Sequence, residues 1–416
     1  MPSLPLLFQC SAYKAGNVSG PLCSDLCERN NIHLGQCLSS VPKKKIYDGH
    51  WGGNQVILKV NMSWFEEFEK REKVIDNDAM ASYTNDVSSR VRTLFGDCPR
   101  CSELTSLLLS LGDGDDDGTV TSSETRTFIS LLQQMEPMMM MTLNESKHTV
   151  DFYGYCGGLY VLERVPFIAS KMFLDTWELL DLSFLPDAFE PLQDTINHYG
   201  GKILNVATYS VQYSSAILNN YLDLTGYSIF RAVFPVHVTS KRERFDVAYS
   251  MLDAILDVSD NPYGLVQSCD GHLGNYGITN NSFVKIIDLD ETYPHVFLKK
   301  RLEQKNCKSD SDCWIGISEV CCSTCNRSTG HCTSQFQYQD LHVVCEDIFL
   351  DIFREPNIPE PQGYNTTYLT KAIRKLGVFC SKLPVVYSVE DLKHDIQTVK
   401  KRLRSIEIRS TGNCSD

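Results

Sequence analysis

The chain has 416 residues, with 52 acidic against 39 basic side chains and a formal charge of −13. That length accommodates two or three domains with substantial cores. Acid excess with scattered basic residues argues against nucleic acid or anionic lipid as a partner, and no run reaches the roughly 18 apolar residues that span a bilayer.

At the start, "MPSLPLLF" is too short for a signal peptide and lacks a charged first segment. "AYKAGNVSGPLC" is turn-prone, with glycines at Gly16 and Gly20. In "KKKIYDGHWGGNQVILKVN" the runs Ile46-Tyr47 and Val56 to Val60 flank "DGHWGGN", a hairpin signal. Residues 63 to about 95 read as helix with a break near "DNDAMASYTND". Leu104, Leu107, Leu108 and Leu111 then follow the spacing of an amphipathic helix. An acidic loop interrupts it, and helix resumes in "ETRTFISLLQQME" with Phe128, Leu131, Leu132 and Met135 on one stripe. "HTVDFYGYCGGLYVLERV" reads as two strands joined at Cys156-Gly157-Gly158. The Met138–Met141 run reads as core packing rather than a methionine-rich groove. Beyond Met172 the pattern is mostly helical, clearest where Phe245, Ala248, Leu252 and Ile255 share a face, and again near 339–354 and 389–405.

There are 17 cysteines, crowded between Cys307 and Cys332. Cys322-x-x-Cys325 has zinc-ligand spacing, but the adjacent Cys321-Cys322 pair and irregular intervals suit a disulfide-stapled loop better. Asn-x-Ser/Thr triplets begin at Asn17, Asn61, Asn144, Asn280, Asn326, Asn365 and Asn413. Cysteines and triplets together point to an oxidising lumen.

The acidic loop has calcium chemistry. A hard cation takes oxygen ligands from alternate positions of a loop of about 12 residues. Counting from Asp113, carboxylates fall at Asp113, Asp115 and Asp117, and Gly118 stands at the sharp turn. Thr119 offers its carbonyl, Val120 is the apolar residue, Thr121 follows, and Glu124 closes the loop. Such loops usually come in pairs; Asp76-Asn77-Asp78 begins like a second, degenerate one with Ala81 and Val87 in place of its glycine and glutamate.

A second constellation points to phosphoryl transfer. In "CDGHLGNYGITNNSFVKIIDLDE", Asp270 and Asn275 have catalytic-loop spacing and Asp288 follows an apolar run. One carboxylate orients the attacking hydroxyl, while the amide oxygen and second carboxylate hold the cations that neutralise the phosphoryl group. Upstream, "VILKV" supplies Lys59 for the phosphates. The stretch from Gly16 to Gly20 reads as a reduced glycine-rich loop, Glu136 as the partner of Lys59, and Glu163 to Val165 as the border of an adenine site. Pro137 would strain a helix interior, and Glu72 is a competing partner for Lys59.

With "GNVSGPLCSDLC", "VILKV", the acidic loop, "GYCGGLYVLERV", the Asp270–Asp288 stretch and the cysteine cluster, the chain resembles the divergent protein kinase domain 1 family. These are cysteine-rich, kinase-like proteins of the secretory pathway with an EF-hand in the small lobe. The resemblance implies an α+β, bilobal fold. Small-lobe strands would take residues 1–62, an inserted EF-hand segment 63–147, further strands and hinge 148–168, and a helical large lobe 169–416 with a disulfide-rich insertion at 307–332. It carries the ion-pair lysine to Lys59, the catalytic aspartate to Asp270, and Mg²⁺ or Mn²⁺ binding to Asn275 and Asp288. Ser268-Cys269 stands where such kinases have His-Arg, His272 replaces a lysine, and Asp288-Leu289-Asp290 replaces Asp-Phe-Gly.

The expected activity is transfer of the ATP γ-phosphate to a protein or glycan hydroxyl in the lumen of the endoplasmic reticulum or Golgi. The alternative is a pseudokinase acting as a calcium-stabilised scaffold. ATP, Mg²⁺ or Mn²⁺ and Ca²⁺ are the expected cofactors. Membrane attachment is expected only through an anchor that this chain does not show. A single helix from about Ser122 to Met141 would join the calcium loop to Glu136, so that calcium orders the ion pair.

Overall fold

The computed structural model describes residues 4–41, 44–72, 79–173, 240–316, 320–354, 366–386 and 388–410. Two helices, α1 (Leu4–Lys14) and α2 (Cys23–Cys27), lead into strands β1 (Ile32–Val41), β2 (Lys44–Trp51) and β3 (Asn54–Asn61). Gly52 and Gly53 both have positive φ, +55° and +90°. A two-residue turn of that kind matches the twist of the strands it joins and sets their register. Here it places Ile46 opposite Lys59 and Lys44 opposite Asn61.

Helices α3 (Ser63–Glu72), α4 (Ala79–Phe95), α5 (Cys101–Leu111), α6 (Ser122–Leu132) and α7 (Met135–Thr142) follow, before β4 (Phe152–Cys156) and β5 (Leu159–Glu163). The five strands form one antiparallel sheet in the order β1-β2-β3-β5-β4. Its buried side chains, among them Val56, Leu58, Val60, Tyr160 and Val161, share a core with the α3–α7 helices. The hydrophobic drive to bury this surface, roughly 25 cal/mol per Å², holds helices and sheet together. All four residues of the Met138–Met141 run lie in that core.

Three expectations change here. Residues 79–95 are continuous helix, so no second loop reaches Ala81 or Val87; its start, residues 76–78, lies outside the described residues. Leu107 is exposed while Leu104 and Leu108 are fully buried, so the α5 stripe is narrower than its spacing suggested. The helix leaving the acidic loop ends at Leu132, and α7 begins separately at Met135. Pro137 therefore occupies the first turn of α7, where a helix has no use for its amide hydrogen.

Past β5 come β6 (Phe167–Ile168) and α8 (Ala169–Phe173), then α9 (Lys241–Ser259), β7 (Val266–Ser268), β8 (Tyr276–Ile278), β9 (Val284–Ile286), β10 (Thr292–Pro294) and α10 (His295–Glu303). The last helices are α11 (Asp340–Val343), α12 (Phe349–Ile352), α13 (Thr366–Cys380) and α14 (Val389–Ser410). A second core is built from α9, α11 to α14 and the β8–β9 hairpin. Ile286 packs against both cores. The architecture is α+β: a small antiparallel sheet with its helices, then a mainly helical part. Among the described residues no helix is long and apolar enough to cross a membrane.

Among the described residues seven disulfides occupy 14 cysteines. In the cysteine-rich segment Cys307 bonds Cys325 and Cys313 bonds Cys332. With Cys307 and Cys325 bonded to each other, zinc ligation through Cys325 is ruled out. Cys10–Cys27 and Cys23–Cys156 tie the N-terminal helices together and to the end of β4.

Candidate active site

Lys59 lies near the end of β3, and its side chain leaves the sheet toward α7. There it ion-pairs with Oε1 of Glu136 and donates to the Ile287 carbonyl at 2.9 Å. Both charged residues are almost completely buried. Glu72 closes α3, and its side chain lies outside the described residues. On its other oxygen Glu136 receives the Tyr160 hydroxyl at 2.5 Å and the Lys44 ammonium at 2.9 Å. Burial, with Glu136 beside it, keeps Tyr160 far above the ordinary tyrosine range, as a hydrogen-bond donor.

Lys44 was not anticipated from sequence. Its ammonium touches Asp288 Oδ2 at 2.8 Å and Oδ1 at 2.9 Å, and Asp290 Oδ2 at 3.1 Å. Burial works against its charge, but Glu136, Asp288 and Asp290 outweigh that and hold it well above the ordinary lysine range. Asp288 is pushed up by burial and pulled down harder by Lys59, 3.8 Å away, and Lys44, so it stays ionised. Asp290 goes the other way, raised by burial and by the neighbouring charge of Asp288. Two lysines thus meet three carboxylates in one cleft.

From Asp288 a bonded path runs to Asp270. The Ile287 amide donates to the Asn275 carbonyl at 2.9 Å, and Asn275 Nδ2 donates to the Asp270 carbonyl at 2.6 Å. The same amide lies 3.3 Å from Asp270 Oδ2. His272 Nδ1 accepts from the Gly274 amide, and its Nε2 lies 3.3 Å from Asp270 Oδ2. The loop is fixed from behind as well. Asp340 accepts the Ser268 amide on both oxygens, at 3.1 and 3.2 Å, and burial lifts its carboxyl to about 7. Cys269, beside Asp270, is bonded to Cys321.

Lys59, Glu136, Asp288, Asn275 and Asp270 therefore come together along one hydrogen-bonded path. Gly16 and Gly20 sit elsewhere, between α1 and α2. The Ser19 amide donates to Thr127 Oγ1 at 3.1 Å, and a side chain at Gly20 would strike the Tyr155 carbonyl. Residues 42–43, which connect β1 to β2, lie outside the described residues. Glu163 ends β5 with its carboxylate paired to Lys285 of β9. Val165 packs near Gly277 of β8, where the chain passes from the sheet to the helical part.

The acidic loop bridges α5 and α6. Carboxylate oxygens of Asp113, Asp115 and Asp117 lie within 4.8 Å of one another. Asp113 accepts the Gly118 amide at 2.9 Å and Asp117 the Thr119 amide at 2.8 Å. Glu124 is buried; it accepts the Gly114 amide at 2.9 Å and forms a capping box with Thr121 at the start of α6. Gly118 has φ +82°, a conformation that glycine adopts without strain.

Two families match the sequence. Residues 128–382 match the protein-kinase domain of FAM69, and residues 7–91 match the family described as N-term cysteine-rich ER, FAM69.

Proposed function

The chain belongs to the FAM69 family, with a kinase-like domain behind a cysteine-rich ER segment, and on that premise we propose that it is a luminal, ATP-dependent phosphotransferase acting on a protein or glycan hydroxyl. The observation that carries this reading is the bonded path from Glu136 through Lys59, Ile287 and Asn275 to Asp270. It joins an ion pair suited to holding phosphates to a carboxylate suited to orienting a hydroxyl. The cysteine-rich ER segment and the disulfides fit a secretory lumen.

Asp288 and the Asn275 amide oxygen offer the hard donors that Mg²⁺ or Mn²⁺ takes, and the ionised state of Asp288 suits them to that task. When bound, such an ion neutralises charge on the phosphoryl group. In this reading Asp270 positions the acceptor hydroxyl and takes up its proton. His272, whose Nε2 lies 3.3 Å from Asp270 Oδ2, sits beside that carboxylate and helps hold it in place. Glu163 to Val165 border the adenine. Asp113, Asp115, Asp117, Thr119, Thr121 and Glu124 form an EF-hand calcium site inserted in the small lobe.

A second reading, a calcium-stabilised pseudokinase, draws on Cys269 and on the Asp288-Leu289-Asp290 departure. Thermal unfolding separates the two. A ligand that binds only the folded chain raises the midpoint, so ATP with Mg²⁺ or Mn²⁺ should raise it and Asp288→Ala should abolish the rise. A midpoint that responds to calcium and ignores ATP would retire the catalytic assignment in favour of the scaffold.

A further inference from the structure

The β2–β3 register makes Lys44 more than a nearby charge. Ile46 stands opposite Lys59, and Lys44 stands two residues before Ile46. Alternate residues of a strand share a face, so Lys44 and Lys59 are diagonal neighbours, within reach of a common target. That face meets α7 and the segment after β9. Lys44 there spans three carboxylates: Glu136 at 2.9 Å, Asp288 at 2.8 and 2.9 Å, and Asp290 at 3.1 Å.

An ammonium has three protons, yet four carboxylate oxygens crowd this one. Such oversubscription is how a cation is caged, not how a surface lysine is tethered. Held at the first residue of β2 and paired there with Asn61 of β3, the charge is positioned by the backbone of the sheet.

We propose that Lys44 is a second phosphate-binding lysine whose ammonium takes the place of one of the two divalent cations that phosphoryl transfer otherwise needs. This rests on the phosphotransferase reading. It gives Asp290 a role as well: Asp290 holds Lys44 from the open side, which explains an aspartate where a glycine is usual. A kinase-like cleft with this built-in cation needs one metal ion, held by Asn275 and Asp288.

The test counts metal directly. With calcium saturating, Mn²⁺ taken up on addition of a non-hydrolysable ATP analogue is measured by electron paramagnetic resonance on the full chain. Analogue affinity is measured in parallel for the wild type, Lys44→Met and Lys44→Arg. The expected result is one nucleotide-dependent Mn²⁺ in the wild type. Affinity should fall about tenfold or more in Lys44→Met and be largely retained in Lys44→Arg. Two nucleotide-dependent Mn²⁺ ions in the wild type overturn the proposal, and that count stands even where Lys44→Met fails to fold. Unchanged affinity in a folded Lys44→Met overturns it equally. A wild type that binds no analogue at any Mn²⁺ concentration takes down the phosphotransferase reading itself, and this inference with it.

Discussion

Asp340 shows how much a single carboxyl can hold. It fixes the strand before Asp270 through the Ser268 amide, and burial lifts it to about 7 from an ordinary value of 3.8. Between those values the folded chain keeps a proton that the unfolded chain releases, so stability declines as pH rises from about 4 to 7. Asp340→Asn keeps an acceptor for Ser268 and removes the titration. Its midpoint should therefore fall less than that of the wild type between pH 5 and pH 8, as differential scanning calorimetry would show. A parallel fall in both proteins would mean that other groups carry the dependence. Asp270, Asn275 and Asp288 were legible in the sequence because a short loop and strand set their spacing. Lys44 was hidden inside "KKK": which of three lysines reaches these carboxylates depends on the Gly52-Gly53 register, and its partners Asp288 and Asp290 lie 244 and 246 residues away. Asp340 was equally hidden, since its partner Ser268 is 72 positions distant.

At the scale of elements, the break between α6 and α7 alters the expected route from the acidic loop to Glu136. Periodicity suggested one helix because apolar residues continue through Leu131, Leu132 and Met135; spacing alone does not reveal that the backbone turns at Gln133-Gln134. The turn is held from outside. Arg90 of α4 donates to the Leu132 carbonyl at 2.9 Å and the Gln133 carbonyl at 3.0 Å. Burial lowers its guanidinium only to about 10, so it stays charged at neutral pH. These are the carbonyls that a helix end leaves unsatisfied. Arg90→Ala should cost about 2 kcal/mol in urea unfolding. If α6 relays calcium occupancy to Glu136, the variant should also lose any enhancement of ATP-analogue binding by calcium. Retained enhancement would show that the loop staples the helices without reaching Glu136.

Across the whole molecule, disulfides bind distant parts of the chain. Cys23–Cys156 closes a loop of 133 residues that contains the acidic loop, α7 and most of the sheet. Chain entropy alone assigns such a closure about 5 kcal/mol. Paired replacement of Cys23 and Cys156 by serine should therefore lower unfolding free energy by roughly 2–5 kcal/mol, read from guanidinium unfolding. A loss well below that would point to a denatured state already compact around the sheet. The succession of a strand-bearing first part and a mainly helical second part was readable from the sequence pattern. The pairing of the cysteines was not, because partners are chosen by the folded backbone and spacing leaves many combinations open.

Cys269–Cys321 has a consequence of another kind. The residue next to Asp270 is fastened to the segment that follows Asp288-Leu289-Asp290, where many kinases carry a stretch toggled by attachment and removal of phosphate. A covalent link formed during maturation is not toggled in that way. The posture of the loop that carries Asp270 is thereby tied to a bond that forms in an oxidising compartment. Copies made in a reducing cytosol would never acquire it, however well the rest of the chain folded. If the chain is the phosphotransferase proposed above, its competence belongs to the oxidising compartment in which Cys269–Cys321 forms, and later adjustment falls to the supply of nucleotide, cation and acceptor.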